Sequence, residues 1–466
     1  MTDQPTTFLD RADRDVSTPK AAAVATGARL LTTKRSAAVA TYPAMDDMRD
    51  RARAIRLHTL ARLDRYLAQF ADAVEATGGH VYFAESAAEA NDYIRDVAAD
   101  SAAELIVKSK SMVTEEIELN EALENDGRTV VETDLGEFIV QLADDRPSHI
   151  VAPVLHTTRQ EVGTLFASEL DVAYTDVPTE LNQIARSYLR ERFLAAGIGI
   201  SGVNFAVAST GSVAIVTNEG NGRLSTTAPR VHIAVMGMER IVPTPKDLGV
   251  MLEVLGRSAT GQSLTTYTNI ITGPRRPDDP DGPDELHVVI LDNGRTDVLA
   301  AEAAEVLACI RCGACLNICP VYRSVGGHAW GDVYSGPLGS VLSPALFGLE
   351  GREELPYACT LCGACLDVCP PRIDLPRMLV ESRVRMVEQG NGFGWLNPAM
   401  SAYRFVATKP GTWRSAVGTA STGGRLSRSG WFSRIPGPGG AWTSGRDMPA
   451  PAKVSFRKWW RQRDGS

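Results

Sequence analysis

The sequence predicts an α/β domain with a largely parallel sheet, followed by a helical, cysteine-rich domain and a basic C-terminal tail. Three observations lead to this prediction. Strand-like and helical segments alternate over residues 46–296, which is typical of parallel sheets. All eight cysteines of the 466-residue chain lie between Cys309 and Cys369. Residues 401–466 carry 12 Lys and Arg against two Asp, although the whole chain has a net charge of −8.

The composition excludes several classes of protein. Because the net charge is negative, a protein that coats nucleic acid is disfavoured, and we expect no nucleic-acid partner. The N-terminus has no signal-peptide pattern, and no apolar run reaches the ~18 residues needed to span a bilayer. A cytoplasmic protein is therefore expected. The absence of cysteine outside one short window excludes a secreted fold held by disulfides.

The chain begins with residues 1–45, which we expect to form a flexible leader with short Ala-rich helical character. A helix is predicted from Asp46, because apolar residues recur at helical spacing as far as Phe70. Gly78 and Gly79 end this helix. The first strand is predicted directly after them.

The rest of the α/β domain alternates between strands and helices. The predicted strands are 80–84, 105–108, 129–132, 149–154, 198–208, 212–217, 232–237 and 287–291. The predicted helices are 114–125, 135–142, 161–170 and 180–196. A run rich in Pro, Asp and Gly at 273–282 is expected to be a loop before the last strand.

The cysteines form two copies of one motif. Residues 308–320 (ACIRCGACLNICP) and 358–370 (ACTLCGACLDVCP) are identical at 9 of 13 positions. Each copy reads C-x2-C-x2-C-x3-C-P, the spacing that binds 4Fe-4S clusters, and in two-cluster ferredoxins the fourth cysteine ligates the other cluster. We therefore predict two 4Fe-4S clusters in a helical, ferredoxin-like domain over residues 297–390, whose last helix begins near Pro376.

The crossed arrangement assigns four ligands to each cluster. The first cluster would be held by Cys309, Cys312, Cys315 and Cys369, and the second by Cys359, Cys362, Cys365 and Cys319. Zinc is the alternative metal, but structural zinc sites use paired C-x2–4-C knuckles without a third cysteine at the same spacing. Two neighbouring clusters would relay single electrons, and the spacing does not set the direction of flow.

Polar loops in the α/β domain have two interpretations. Residues 108–112 follow a strand, and residues 210–212 and 218–223 flank another strand. Glu137 and His156 lie at similar positions. Each could belong to a small-molecule site or be ordinary turn and cap chemistry, and no nucleotide-binding fingerprint is present. The seven histidines lack metal-ligand spacing, so we expect no separate metal site and assign no catalytic residue.

In the C-terminal tail, residues 391–466, the part from residue 401 onward contains five of the seven Trp as well as the excess of basic residues. Such a tail docks on a partner, contacts a membrane surface peripherally, or is simply solvated. RNA binding is a weaker interpretation because no RNA-binding fold pattern surrounds the aromatic residues.

Several segments together resemble one family. They are VKSKSM (107–112), VETDLGEFIVQL (131–142), PSHIVAPVLH (147–156), NEGNGRL (218–224), the two cysteine motifs and SFRKWW (455–460). In these segments the chain resembles the lactate utilisation protein B family, the iron-sulfur subunits of L-lactate oxidation complexes. The resemblance extends from about residue 50 to residue 460.

This resemblance implies a LUD-type α/β domain, similar to sugar-phosphate isomerases and CoA transferases, over residues 46–296. It also implies an electron-transfer subunit of a complex that oxidises L-lactate to pyruvate, rather than an enzyme that is catalytic alone. The implied partners are a CCG-type Cys-rich protein, a small LUD-type protein and an unknown electron acceptor. Two alternatives stay open: an iron-sulfur subunit of a glycolate oxidase or heterodisulfide reductase type, and an isomerase- or transferase-like enzyme whose clusters are structural.

Overall fold

The computed structural model describes residues 7–390, 396–437, 440–443 and 445–463. The chain divides into two compact units, Met1–Arg385 and Met386–Ser466. The α/β region and the cysteine-rich region, which we expected as separate domains, both belong to the first unit. The reason is that residues of the two regions share one apolar core.

The secondary structure up to residue 388 is numbered in chain order. The strands are β1 (His80–Ala84), β2 (Leu105–Lys108), β3 (Thr129–Glu132), β4 (Ile198–Gly202), β5 (Phe205–Val207), β6 (Ser212–Thr217), β7 (Val231–Gly237), β8 (Ile241–Val242), β9 (Tyr267–Ile271) and β10 (Glu285–Leu291). The helices are α1 (Phe8–Asp15), α2 (Pro19–Ala40), α3 (Met45–Leu60), α4 (Leu63–Ala76), α5 (Ala87–Asp100), α6 (Met112–Glu116), α7 (Leu119–Asn125), α8 (Leu135–Leu142), α9 (Arg159–Glu169), α10 (Pro178–Ala195), α11 (Asn221–Thr227), α12 (Pro245–Ala259), α13 (Arg295–Ala300), α14 (Ala314–Ile318), α15 (Pro320–Val325), α16 (Gly336–Phe347), α17 (Ala364–Val368) and α18 (Leu375–Glu388).

Six strands form an all-parallel sheet in the order β1-β10-β7-β4-β2-β3, which confirms the predicted fold class. β2 and β4 are neighbours, and Lys108 is in register with Ile200. The chain leaves β2 towards β3 on one side and leaves β4 towards β7 on the other. Such a switch point opens a crevice at the carboxyl ends of the two strands, where open α/β folds bind ligands.

The sheet is buried on both faces, as parallel sheets require. Every residue of β7 is buried. Alternate residues of β7 belong to different apolar clusters: Ile233 packs with residues of α5 on one face, and Ala234 packs with residues of α4 on the other. The cluster on the α4 face continues into the cysteine-rich region through residues such as Trp330 and Leu342. This shared core joins the two regions into one unit.

A second sheet of four strands, in the order β8-β5-β6-β9, was not predicted. The sequence analysis interpreted 198–208 as one strand, whereas the structure divides it into β4 and β5, which lie in different sheets. Asn204 lies between them, and its Oδ1 accepts a hydrogen bond from Val216 N (2.8 Å). The sequence did not predict β9, because this strand is largely exposed and its apolar and polar residues do not alternate clearly.

Three further predictions of single elements were wrong. The helix predicted from Asp46 to Gly78 is two helices, α3 and α4, separated by residues 61–62. The helix predicted over 114–125 breaks at Glu118, whose φ is 52°. The strand predicted over 149–154 is a loop, because the N–H groups of Val151 and Ala152 both donate to the ring of His149 rather than to a neighbouring strand.

The structure also corrects the expectation of a flexible leader over residues 1–45, since α1 and α2 occupy most of it. Val24 and Ala28 of α2 are fully buried, and α2 packs against α14 and α15 of the cysteine-rich region. Thr32 Oγ1 donates to the carbonyl of Asn317 (3.2 Å). The alanines of α2, from which the sequence predicted only helical character, are small enough to allow α2 to pack closely against α14 and α15.

The second unit contains short elements. They are the end of α18, then α19 (Leu396–Ala407), α20 (Pro410–Gly423), β11 (Trp431–Phe432), α21 (Gly440–Thr443), β12 (Met448–Pro449) and α22 (Phe456–Arg463). β11 and β12 pair in antiparallel fashion. Trp459 and Trp460 are about half exposed on α22. Among the described residues, none of the helices is both long and apolar enough to cross a membrane.

Candidate iron-sulfur site and adjoining cavity

The two cysteine loops share one backbone geometry. Arg311 and Leu361 occupy the same motif position and both have positive φ, 57° and 54°. The glycines two residues later, Gly313 and Gly363, have φ of 72° and 80° and are the N-cap residues of α14 and α17. Only glycine adopts such angles without strain, which explains its place in each motif. The repeat in the sequence is therefore a repeat in structure.

Backbone N–H groups donate to cysteine sulfurs in both loops. The bonds join Arg311 N to Cys309 Sγ (3.3 Å), Leu361 N to Cys359 Sγ (3.2 Å) and Ile373 N to Cys369 Sγ (3.3 Å). Hydrogen bonds of this kind stabilise thiolate over thiol and tune the potential of a bound cluster.

The fourth cysteine of each motif lies beside thiols of the other motif. Burial raises the pKa of Cys369 well above its ordinary value, and the neighbouring thiols of Cys312 and Cys309 raise it further. Burial raises the pKa of Cys319 to about 11, and two thiols of the second motif contribute to the increase. These neighbours are the ones that a crossed ligand set requires.

The donor set fits iron-sulfur ligation. All eight cysteines are free thiols. Among the described residues, the only His, Cys, Asp and Glu side chains that bring three ligand atoms within 4.8 Å of one another are Asp145, His156 and His328. The cysteine sulfurs are thus spread more widely than a single tetrahedral zinc ion would hold them, at roughly 3.8 Å apart for Zn–S bonds of about 2.3 Å. A four-iron cluster separates its ligands further, so this spread favours clusters over zinc.

Three arginines on one face of α3 hold the backbone around the first loop and the end of the second. Arg49, Arg53 and Arg56 follow helical spacing and donate to backbone carbonyls on both segments. The main contacts are Arg49 Nη2 to Asp367 O (2.7 Å), Arg49 Nε to Cys369 O (3.2 Å), Arg53 Nη1 to Arg372 O (2.6 Å), Arg56 Nη2 to Leu307 O (2.9 Å) and Arg56 Nε to Ala308 O (3.3 Å). Sequence reasoning missed them, because charges at this spacing are typical of a solvated helix face.

A buried charge network extends from the first loop into the α/β region. Glu239 lies 3.5 Å from Arg311 Nη2 and 2.8 Å from Arg295 Nε. Arg295 also pairs with Glu116 of α6 (2.8 Å), which accepts from the hydroxyl of Tyr334 (2.6 Å). Although burial opposes ionisation, Arg295, Arg240 and Arg311 together lower the pKa of Glu239 to about 2. Arg311, placed between Cys309 and Cys312, is thereby held in a charged core.

A cavity of about 1020 Å³, here called the sheet-edge cavity, lies at the switch point. Residues 109–113 and 202–204 line it at the ends of β2 and β4, and Arg311 lines it from the first cysteine loop. Glu219 also lines it, and burial together with Asp134 raises the pKa of Glu219 to about 7. Two of the polar loops singled out in the sequence, 108–112 and 218–223, thus meet here.

The remaining sequence-predicted polar residues lie elsewhere. Lys108 is buried in an ion pair with Glu132 (2.7 Å), outside the sheet-edge cavity. Burial raises the pKa of Glu137 to about 7, and its carboxylate lies 3.3 Å from Lys110 Nζ. Residues 210–212 form ordinary turn contacts, and Ser212 Oγ lies 2.6 Å from the hydroxyl oxygen of Thr272.

His156 lies in a cluster that the sequence analysis did not foresee. Its Nε2 is 3.2 Å from Asp145 Oδ2, and its ring meets that of His328 at 4.6 Å between centroids. His328 comes from the loop between the two cysteine motifs. The separation in sequence of 172 residues between the two histidines left no local spacing to detect.

Comparison with known proteins defines the class of the chain. The family model of the LUD domain matches residues 67–291, that of the 4Fe-4S dicluster domain matches 305–373, and that of the lactate utilisation protein B C-terminal region matches 382–465. The chain is therefore an iron-sulfur protein that carries a LUD domain and binds 4Fe-4S clusters.

Relatives narrow the class to a family. The chain is 49% identical over 421 residues to lactate utilization protein B of Bacillus licheniformis, covering 90% of this chain and 88% of the relative. It is 47% identical over 448 residues to lactate utilization protein B of Bacillus subtilis strain 168, covering 94% and 92%. A solved DUF162 family protein of Deinococcus radiodurans aligns with a TM-score of 0.29 and 13% identity, over 49% of this chain and 98% of that one. The chain belongs to the lactate utilisation protein B family and is a lactate-utilisation iron-sulfur protein.

Proposed function

We propose that this chain is the electron-transfer subunit of a cytoplasmic complex that oxidises L-lactate to pyruvate, and that it holds two 4Fe-4S clusters. One observation carries the proposal: Cys369 and Cys319 each lie beside the thiols of the other motif. Crossed ligation places two clusters side by side in one fold, which is the arrangement of a relay. The ligand sets are the two that the sequence predicts, four cysteines each.

Oxidation of L-lactate to pyruvate releases two electrons and two protons, so a one-electron relay must accept two electrons in turn. The bound clusters would supply this chemistry, each passing one electron at a time. The chain's own residues hold the relay in place. N–H groups of residues 311, 361 and 373 donate to ligand sulfurs, and Arg49 and Arg56 fix the carbonyls beside them.

We further propose that partners complete the complex: a CCG-type Cys-rich protein, a small LUD-type protein and an electron acceptor. The basic second unit supports docking, because large aromatic side chains such as Trp431, Trp442 and Phe456 are more than half exposed there. Exposed aromatic and arginine side chains are enriched at protein interfaces. Peripheral contact with anionic lipid is the competing interpretation of the same surface.

The test begins with the purified chain, reconstituted anaerobically. We expect about eight iron and eight sulfide per chain and no stoichiometric zinc. Deletion of the gene should abolish growth on L-lactate and leave growth on glycolate intact. Loss of growth on glycolate instead would favour the glycolate oxidase type, and stoichiometric zinc would refute the cluster assignment.

A further inference from the structure

Three side chains of the kind that bind metal ions meet where the α/β region contacts the loop between the two cysteine motifs. They are Asp145, His156 and His328, here called the His-Asp cluster, and one ligand atom of each lies within 4.8 Å of the other two. His156 Nε2 lies 3.2 Å from Asp145 Oδ2, and His328 Nε2 lies 3.9 Å from Asp145 Oδ1. Ligand atoms at about 2.0 to 2.2 Å from one metal ion lie roughly 3 to 3.5 Å from each other. The cluster therefore needs only a slight movement of His328 to surround such an ion.

The hydrogen bonds of the buried His156 direct its Nε2 towards a cation. Ser148 Oγ donates to the carbonyl of Pro153 (3.1 Å), so it accepts a hydrogen bond from Nδ1–H of His156 (2.7 Å). In the neutral ring, the lone pair of Nε2 then lies beside a carboxylate oxygen of Asp145. Two acceptors repel each other at this distance unless they share a proton or a metal ion. A hydrogen bond from the opposite ring nitrogen is the usual way in which proteins orient a histidine ligand.

The backbone around the cluster brings the other two ligands into place. A Cβ at Gly327 would collide with the carbonyl oxygen of Ser148, so glycine allows the loop that carries His328 to pass close to the α/β region. The carboxylate of Asp145 is held by its neighbour, since Arg146 N donates to Oδ1 (2.8 Å). The ligands are thus positioned by contacts that do not depend on an ion.

The His-Asp cluster borders a cavity of about 940 Å³, here called the acidic cavity. Ten Asp and Glu but only four Lys and Arg line it. Lys108 and Lys110 pair with some of these carboxylates from outside the lining, and an acidic excess remains. The side chains of Asp145 and His328 are 32% and 25% exposed, so an ion reaches them from solvent. A cavity with this charge raises the local concentration of cations.

Two contacts compete with a bound ion. Lys20 Nζ lies 3.5 Å from Asp145 Oδ2, but the lysine side chain is 57% exposed and can turn into solvent. Exposed ion pairs of this kind contribute little. His328 Nε2 donates to the carbonyl of Arg146 (2.7 Å), so coordination through this nitrogen replaces one hydrogen bond and moves the ring proton to Nδ1.

We propose that the His-Asp cluster binds one divalent transition-metal ion of the zinc or ferrous type, separate from the iron-sulfur clusters. Two imidazoles and a carboxylate suit this class of ion, and three protein ligands leave coordination positions open towards the acidic cavity. The ion would join residues 145–156 of the α/β region to the loop between the cysteine motifs, so its binding should also stabilise the first unit against unfolding. The proposal does not depend on the function proposed above.

The test uses full-length, cluster-loaded protein titrated with Co²⁺ by calorimetry. Co²⁺ accepts the same ligands as Zn²⁺, and its use leaves zinc analysis free to test the cluster assignment. Iron bound to the cysteines keeps their thiolates from competing. We expect one Co²⁺ per chain. His156→Gln and His328→Gln should each weaken the Kd by at least about tenfold, the effect of losing even a hydrogen-bonding partner of a metal ligand.

Two control variants accompany the titration. Lys20→Gln removes the competing ammonium group and should bind Co²⁺ at least as tightly as the wild type. His58→Gln, at an exposed histidine outside the cluster, should leave the Kd unchanged. Thermal unfolding provides a second readout: Co²⁺ should raise the Tm of the wild type and leave that of His328→Gln unchanged. If His156→Gln does not fold, the partly exposed His328 decides the question.

Three outcomes would overturn the proposal. They are absence of Co²⁺ binding by the loaded wild-type protein, an unchanged Kd in His328→Gln, and equally tight binding of Mg²⁺. Mg²⁺ prefers oxygen ligands, so equal binding would mean that the carboxylates of the acidic cavity attract cations without the histidines. Failure of the cluster assignment would appear separately, as fewer than about eight iron per chain before Co²⁺ is added.

Discussion

The two cysteine motifs have nearly the same sequence but different surroundings. The first is buried: Arg311 is 8% exposed and lies in the charge network beside the sheet-edge cavity. In the second, Leu361 is 41% exposed and Cys362 is exposed as well. A Cβ at Gly313 would meet the His149 ring at 3.1 Å, whereas a Cβ at Gly363 would meet no atom within 4 Å. The two motifs share their cysteine spacing, while their surroundings make the first loop a buried site and the second an exposed one.

Replacing a crossed ligand should have the largest effect. Cys369→Ala removes a thiolate that we assign to the first cluster although it belongs to the second motif, so about half of the iron should be lost. The remaining cluster should be that of Cys359, Cys362, Cys365 and Cys319. Iron analysis and EPR of the reduced protein check this. Loss of the signal assigned to the second cluster, with the first retained, would show that ligation is not crossed.

Substitution by glycine at the same motif position should affect the stability of the two loops differently. Arg311 and Leu361 both have positive φ, so glycine relieves similar backbone strain at each. Arg311→Gly, however, removes one of the positive charges that pair with the buried carboxylate of Glu239, so it should lower the free energy of unfolding by about 3 kcal/mol. Leu361→Gly should leave the free energy of unfolding unchanged or raise it by up to about 1 kcal/mol. Thermal unfolding monitored by cluster absorbance provides the comparison, and equal losses in both variants would contradict it.

Acid should destabilise the first loop through His149. Nδ1 of this buried histidine accepts two backbone hydrogen bonds, so Nε2 carries the proton and donates to Asn317 Oδ1 (3.0 Å). Burial, followed by the charge of Lys110, lowers its pKa to about 3. The unfolded chain therefore binds a proton between about pH 6.5 and 3 that the folded chain does not, and stability falls as pH falls through this window.

The size of this effect is at most about 1.4 kcal/mol per pH unit. Thermal unfolding at pH 7.5 and 5.5 should show a smaller decrease for His149→Gln than for the wild type, after allowing for the lower stability of the variant. His58→Gln, at an exposed histidine, should retain the wild-type pH dependence. A His149→Gln decrease as large as that of the wild type would assign the pH effect to other groups.

Removal of residues 401–466 should change the clusters least. These residues belong to the second unit and contain none of the cysteines. Cluster absorbance and iron content should therefore remain unchanged, while co-purification of partner subunits should weaken. Unchanged co-purification would leave this tail without a docking role, and loss of vesicle binding instead would favour the lipid interpretation.

The sequence predicted the parts of the molecule that local pattern encodes. Apolar strands such as β2 and β7 and the two cysteine motifs follow from spacing alone. The errors arose where a side chain replaces a backbone partner, as His149 does for Val151 and Ala152. The sheet-edge cavity and the arginines of α3 could not be predicted, because they depend on contacts such as Arg56 to Leu307, 251 residues apart.

The packing of α2 on α14 and α15 has a consequence for biosynthesis. During translation, α2 is synthesised nearly 300 residues before the helices that pack on it. In the same way, β1 is synthesised about 200 residues before its neighbour in the sheet, β10. The first unit therefore cannot complete its fold during translation until the first cysteine motif has emerged. Because pairings between parts so distant in the chain slow folding, and cluster binding is coupled to folding, we expect folding to be slow and dependent on timely metal delivery. A truncation that removes α2 therefore acts directly on the cysteine-rich region, although α2 is remote from it in the chain.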